Sequence, residues 1–95
     1  MRTLSSMPER RLLLFYDYVP DILERRAAHR EAHLALIARH KEAGDLVLAG
    51  AIGDPPTGGL LVFREDADAE AFAREDPYVQ NGLVTQWRTA PWMVV

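Results

Sequence analysis

Two stretches of this chain carry residue types that can do chemistry: Arg30-Glu31-Ala32-His33-Leu34 and Asp76-Pro77-Tyr78-Val79. An imidazole carries protons near neutral pH. A carboxylate beside it sets which ring nitrogen holds the proton, and the two together can act as general acid and base. Arg30 stands three positions before His33, on the same side of a helix, and a guanidinium can grip a substrate carboxylate with two parallel hydrogen bonds. Pro77 fixes the backbone beyond Asp76 and holds its carboxylate in a turn. Tyr78 can donate a hydrogen bond from a pocket wall or cover core. The candidate set is therefore His33 and Asp76 for proton transfer, with Arg30 and Tyr78 as substrate-binding residues. Each has a plainer use. His33 could be a solvated helix residue, Asp76-Pro77 an ordinary turn, and Arg30 a surface charge paired with Glu24.

Other motifs are weaker. His29, His33 and His40 fall within a narrow arc of one helix, and two imidazoles a turn apart can bind zinc. The run His29-Arg30-Glu31-Ala32-His33 has its acid third rather than second, so it misses the H-E-x-x-H pattern. Its Arg also repels a cation. No metal is expected, and His29 and His40 are expected to face solvent. Gly53 to Gly59 contains neither G-x-G-x-x-G nor a P-loop lysine, so it is expected to be a wide hairpin turn, and no cofactor is expected. No Ser or Cys nucleophile is suggested, which disfavours hydrolysis through a covalent intermediate.

These residues need elements to position them. Leu12 to Val19 is apolar and aromatic and stops at Pro20, which predicts a buried strand. Asp21 can cap the next element. Ile22 to Ala43 is free of Gly and Pro and rich in helix formers; a break is expected near Ala28 to Arg30, and Gly44 is a good C-terminal stop. Leu46 to Ile52 and Leu60 to Arg64 predict a strand hairpin around the glycine-rich loop. Asp66 or Asp68 caps a short helix through about Glu75, which Pro77 ends. Leu83 to Thr89 predicts a fourth strand and Trp92 to Val95 an extended piece. The order β-α-β-β-α-β predicts an α+β, ferredoxin-like sandwich: an antiparallel sheet with both helices on one face. Its helices run antiparallel, which brings the end of the second, with Asp76, toward His33 early in the first.

Composition sets the bounds. Ninety-five residues suit one domain, expected over residues 11–95, with residues 1–10 as an N-terminal extension that lacks the apolar core of a secretory signal. Hydrophobic content of 48% and charged content of 26% are those of an ordinary globular protein. The net charge of −3 argues against a general nucleic-acid surface, although Arg25, Arg26, Arg30 and Arg39 could form a local basic patch. No apolar run is long enough to span a bilayer. With no cysteine there is no disulfide framework, which fits a cytoplasmic location. Tyr16, Tyr18, Val47, Phe63, Trp87 and Trp92 offer more apolar surface than a short helix pair can cover, so a homodimer with sheets packed face to face is expected.

Arg30-x-x-His33-Leu34, Leu48-Ala49-Gly50 at the end of the second strand, and Asp76-Pro77-Tyr78-Val79 together resemble the YCII-related (YciI-like) family, over roughly Arg11 to Val95. Asp-Pro-Tyr is the most specific part. The resemblance implies a dimeric α/β barrel built from two ferredoxin-like protomers, and implies His33 and Asp76 as the catalytic pair. One position departs: Glu31 stands where many relatives carry Pro after the Arg, which bears on where the main helix starts.

Two functions follow. One is a small cofactor-independent enzyme of lyase or isomerase type. His33 moves a proton, Asp76 orients it, and Arg30 holds an anionic group on a small, anionic or cyclic substrate. The other is a non-catalytic small-molecule-binding or accessory module using the same cleft.

Overall fold

The structure is a computed structural model and describes residues 9–95. Its strands are β1 (Glu9–Tyr18), β2 (Leu46–Ile52), β3 (Gly58–Arg64) and β4 (Val84–Val94). Its helices are α1 (Ile22–Arg25), α2 (Arg30–Ala43), α3 (Ala69–Glu75) and α4 (Pro77–Gln80). The four strands form one antiparallel sheet in the order β2-β3-β1-β4. This is the α+β, ferredoxin-like arrangement. Among the described residues no helix is long and apolar enough to cross a membrane.

Register decides which side chains meet the helices, because residues directly opposite one another in a ladder share a face. Leu14 and Tyr16 of β1, with Leu61 and Phe63 of β3, pack against Ile22, Leu36, Phe72 and Tyr78 from the helical layer. The Phe63 and Phe72 rings meet edge to face with centroids 5.4 Å apart. Trp87 lies opposite Tyr16 and packs against the same core. The aromatics therefore divide differently from expectation. Tyr16, Tyr18, Phe63 and Trp87 serve the helix side. Val47 sits at the β2 irregularity between Leu46 and Leu48, and of the expected set Trp92 shares the open face. That face is built from Leu13, Phe15, Leu60 and Val62, with Leu48, Ile52 and Trp92 at its margins.

Local chemistry sets the helix ends. The expected break in the long helical stretch falls at a 3₁₀ turn, Arg26–Ala28, after which α2 begins at Arg30. Asp21 does not cap α1 with its side chain; its backbone carbonyl accepts from Glu24 and Arg25 instead. Gly44 closes α2 at φ +91°, a left-handed conformation that L side chains rarely adopt, and its N–H donates to the carbonyls of His40 and Lys41. Asp68 caps α3 by accepting from the Ala71 N–H. Pro77 does more than stop α3: it occupies the first position of α4, where a missing N–H costs nothing.

The outer bounds differ slightly from the sequence reading. Gly58 and Gly59 belong to β3 rather than to the loop, and β4 runs unbroken through Pro91. Residues 1–8 of the expected extension lie outside the described residues. Glu9 and Arg10 open β1 opposite Val94 and Met93.

Candidate active site

Asp76 links α3 to α4. Its backbone is extended (φ −72°, ψ 122°), and its side chain caps α4 by accepting from the Tyr78 N–H at 3.0 Å. The capping geometry turns the carboxylate inward, where it is wholly buried. Burying a carboxylate is costly unless donors surround it. Here His33 Nδ1 lies 2.8 Å from Oδ1 and 3.1 Å from Oδ2, and the Tyr16 hydroxyl donates to Oδ2 at 2.7 Å. Side chains from β1 and α2 and a backbone amide of α4 thus converge on one carboxylate.

His33 sits in the opening turns of α2 and is 6% exposed. Its ring stacks on Tyr78, with centroids 3.7 Å apart and planes 9° apart. Tyr18 meets Tyr78 edge to face at 6.1 Å. A carboxylate only accepts hydrogen bonds, so the His33 nitrogen facing it carries a proton. In the neutral ring Nε2 is then the free acceptor.

His33 lines a pocket of about 310 Å³ between α2 and the edge strand β2. His33, Leu34 and Ile37 form its helix wall and Ala49, Gly50 and Ala51 its strand wall. Tyr18 and Tyr78 close the dyad end, and Arg26, Arg30 and Lys41 supply three cations. Gly59 gives Tyr18 its place: a Cβ at position 59 would stand 2.8 Å from the Tyr18 hydroxyl, closer than van der Waals contact allows.

The phenols are held protonated. Burial, then the charge of Asp76, then the hydrogen bond donated to it, raise the Tyr16 pKa far above its ordinary value. Burial, then Tyr78 and Asp76, push Tyr18 up to about 12, against weaker downward pulls from Arg26 and Arg30. Burial also raises Tyr78, with Arg30 drawing it back. The Arg30 guanidinium is near enough for that influence, but the two make no hydrogen bond of acceptable geometry. Among the described residues the buried Tyr78 hydroxyl has no hydrogen-bond partner.

All four residues singled out from the sequence come to one place. His33 and Asp76 touch, Tyr78 stacks on His33 while belonging to the core, and Arg30 lines the pocket mouth without pairing to Glu24. His40 departs from expectation. It is partly buried, its Nδ1 is 2.9 Å from Asp45, and its ring meets Phe72 edge to face. The Gly44 turn brings Asp45 back alongside the last turn of α2, where it partly covers His40. The sequence reading named Tyr16 only as a sheet aromatic and Arg26 only in a possible basic patch, and it passed over Lys41. Tyr16 carries a usable signal: it lies on the same strand face as Leu14, so its hydroxyl had to find a partner in the core. Lys41 follows Arg30, His33, Leu34 and Ile37 along one stripe of α2.

A ferredoxin-like domain with a buried His–Asp pair beside a cationic pocket is the class of protein these observations define. The chain belongs to the YCII-related domain family, whose model matches residues 11–93. Among solved structures it is similar to 5-chloro-2-hydroxyhydroquinone dehydrochlorinase (TftG) from Burkholderia phenoliruptrix AC1100, in complex with 2,5-dihydroxybenzoquinone. The TM-score is 0.70 at 23% identity, covering 86% of this chain and 92% of that one. It is also similar to a conserved protein from Methanosarcina mazei Go1, with a TM-score of 0.55 at 13% identity, covering 97% and 98% of the two chains. At these identities the likeness is one of fold. No curated protein matches the chain.

Proposed function

We propose that this protein is a cofactor-independent enzyme of lyase or isomerase type, in which His33 transfers a proton and Asp76 holds it in position. The observation that carries this reading is the 2.8 Å contact between His33 Nδ1 and a carboxylate buried completely and supplied with two further donors. A carboxylate serving only as a helix cap has no need of an imidazole and a phenol. Nε2 takes a proton from an acidic C–H or O–H of the substrate. The electron pair left behind forms a new double bond and expels an anionic leaving group, or returns to a proton delivered at another carbon. Tyr78 donates to the oxygen on which negative charge develops, and Arg30 holds an anionic substituent. The Asp76 carboxylate accepts from Nδ1 and steadies the imidazolium that forms.

The substrate is a small, oxygen-rich, cyclic or anionic molecule. The fold neighbour's name specifies loss of chloride from a hydroxylated ring, and its bound ligand is a dihydroxyquinone; both kinds of molecule suit the elimination described here. The open sheet face completes the reading. Leu48, Ile52 and Trp92 are 61%, 46% and 44% exposed around it, an apolar expanse that a second copy of the chain would cover in a homodimer.

The test is proton exchange in D2O. A panel of hydroxyquinones and small unsaturated ring acids is incubated with the protein and followed by proton NMR. The wild type is expected to exchange or eliminate from at least one of them, and His33→Gln to slow that reaction by on the order of 10²–10⁴ with its circular dichroism unchanged. Equal rates in the two proteins would overturn the reading. Compounds that bind beside His33 without exchanging or eliminating would instead make the pocket a binding module.

A further inference from the structure

Arg26, Arg30 and Lys41 make no ion pair among the described residues. No carboxylate lines the pocket beside them. Three uncompensated cations around one cavity repel one another and are relieved by an anionic ligand. Their arrangement is informative. Arg26 precedes α2, and Arg30 opens it one turn before His33. Lys41 lies eight residues beyond His33, roughly 12 Å farther along the axis at ~1.5 Å per residue. Between them the groove is apolar, with Leu34 and Ile37 facing Ala49 and Leu61. A lone phosphate would draw its cations to one point. Here they stand at opposite ends of an apolar middle, and Lys41 has a flexible four-carbon stem with which to reach back along the groove. The strand wall carries only methyl groups or hydrogen at Ala49, Gly50 and Ala51, which leaves room for a flat body. At the dyad end the buried Tyr78 hydroxyl is a donor with no partner among the described residues.

We propose that the ligand is a dianion with a flat unsaturated or aromatic middle and an anionic oxygen group at each end, and that Lys41 is the specificity-determining residue that holds the end remote from His33. Arg30 and the Tyr78 hydroxyl take the near end. This rests on the reading that the reacting end lies beside His33, and it narrows the substrate class to molecules with a second anion on the far side of the ring or chain.

The experiment compares benzoate with terephthalate, the same ring with one carboxylate or with two opposed. Calorimetry gives affinities, and the His33 ring resonances report whether each probe enters the pocket. Terephthalate is expected to bind about fivefold more tightly than benzoate, the weight of one partly exposed ion pair, with the steeper salt dependence. Lys41→Met is expected to abolish that difference while leaving benzoate unchanged, and Lys41→Arg to keep it. Lys41 is exposed on the helix surface, so neither change threatens the fold. Equal affinities in the wild type, or a preference that survives Lys41→Met, would overturn the proposal. Either result would leave the proton-transfer reading standing, because that reading needs only one anchored end. If neither probe moves the His33 resonances, no dianion of this shape sits beside the dyad and the proposal falls, while the proton-transfer reading is decided by the exchange experiment in D2O.

Discussion

Tyr16→Phe removes one oxygen from the centre of the molecule and leaves the ring that packs there. The lost hydroxyl donates to Asp76 Oδ2 at 2.7 Å inside a site closed to solvent. A hydrogen bond to a charged group is worth about 1.5–3 kcal/mol. Asp76 keeps the His33 ring and the Tyr78 amide, and Oδ2 still lies 3.1 Å from Nδ1. The loss is therefore partial, and the expected destabilisation is about 1.5–3 kcal/mol. In a domain of this size each kcal/mol lowers Tm by roughly 4–8 °C, so Tm should fall by roughly 6–24 °C. Urea unfolding at fixed protein concentration measures the free energy, and calorimetry the midpoint. The m-value should not change, because the surface exposed on unfolding is the same. A loss below about 0.5 kcal/mol, the range of an ordinary surface substitution, would show that the Tyr16 hydroxyl does not support the buried carboxylate.

Other expectations follow from the same geometry. In alkali, Tyr18 titrates near the ordinary phenol value of 10.0 in the unfolded chain and is pushed up to about 12 by burial in the fold. The unfolded state therefore holds fewer protons between those values, and stability should be flat below about pH 10 and fall as pH rises toward 12; Tyr18→Phe should flatten that decline, and an unaltered slope would contradict the assignment. Light scattering should give a mass near twice 10.7 kDa, and Leu48→Glu on the open sheet face should shift the protein toward monomer. A monomer at micromolar concentration in the wild type would contradict the homodimer. Pro77→Ala should keep the fold, cost about 0.4–1 kcal/mol through the unfolded chain, and speed amide exchange between Arg74 and Val79. Unchanged exchange there would mean that the turn does not depend on proline.

Much of this architecture is legible in the residues. The strand and helix order could be read from apolar runs and from Pro20, Gly44 and Pro77. The order alone placed Asp76 at the same end of the sheet as His33. Ladder register was harder to read. The reading ended the fourth strand at Thr89 and set Trp92 in a separate piece, whereas one unbroken β4 pairs Trp87 opposite Tyr16, on the core side, and Trp92 opposite Arg11, on the open face. The pocket cations were hidden for a different reason. Arg26 and Lys41 are ordinary helix-surface charges until the 3₁₀ turn and strand β2 place a cavity beside them. Tyr16 and His40 show the remaining gap: each is explained by a partner distant in space or brought back by a tight turn, which a reading of local pattern does not supply.

The proposed chemistry requires that Asp76 hold His33 with its proton on Nδ1 and its Nε2 lone pair toward the pocket. Nitrogen-15 NMR of the imidazole rings, at a pH where His33 is neutral, reads the tautomer without any substrate. A protonated Nδ1 and an unprotonated Nε2 are expected for His33, with that preference lost in Asp76→Ala. A neutral His33 protonated on Nε2 in the wild type would contradict it, because the nitrogen meant to take the substrate proton would already carry one.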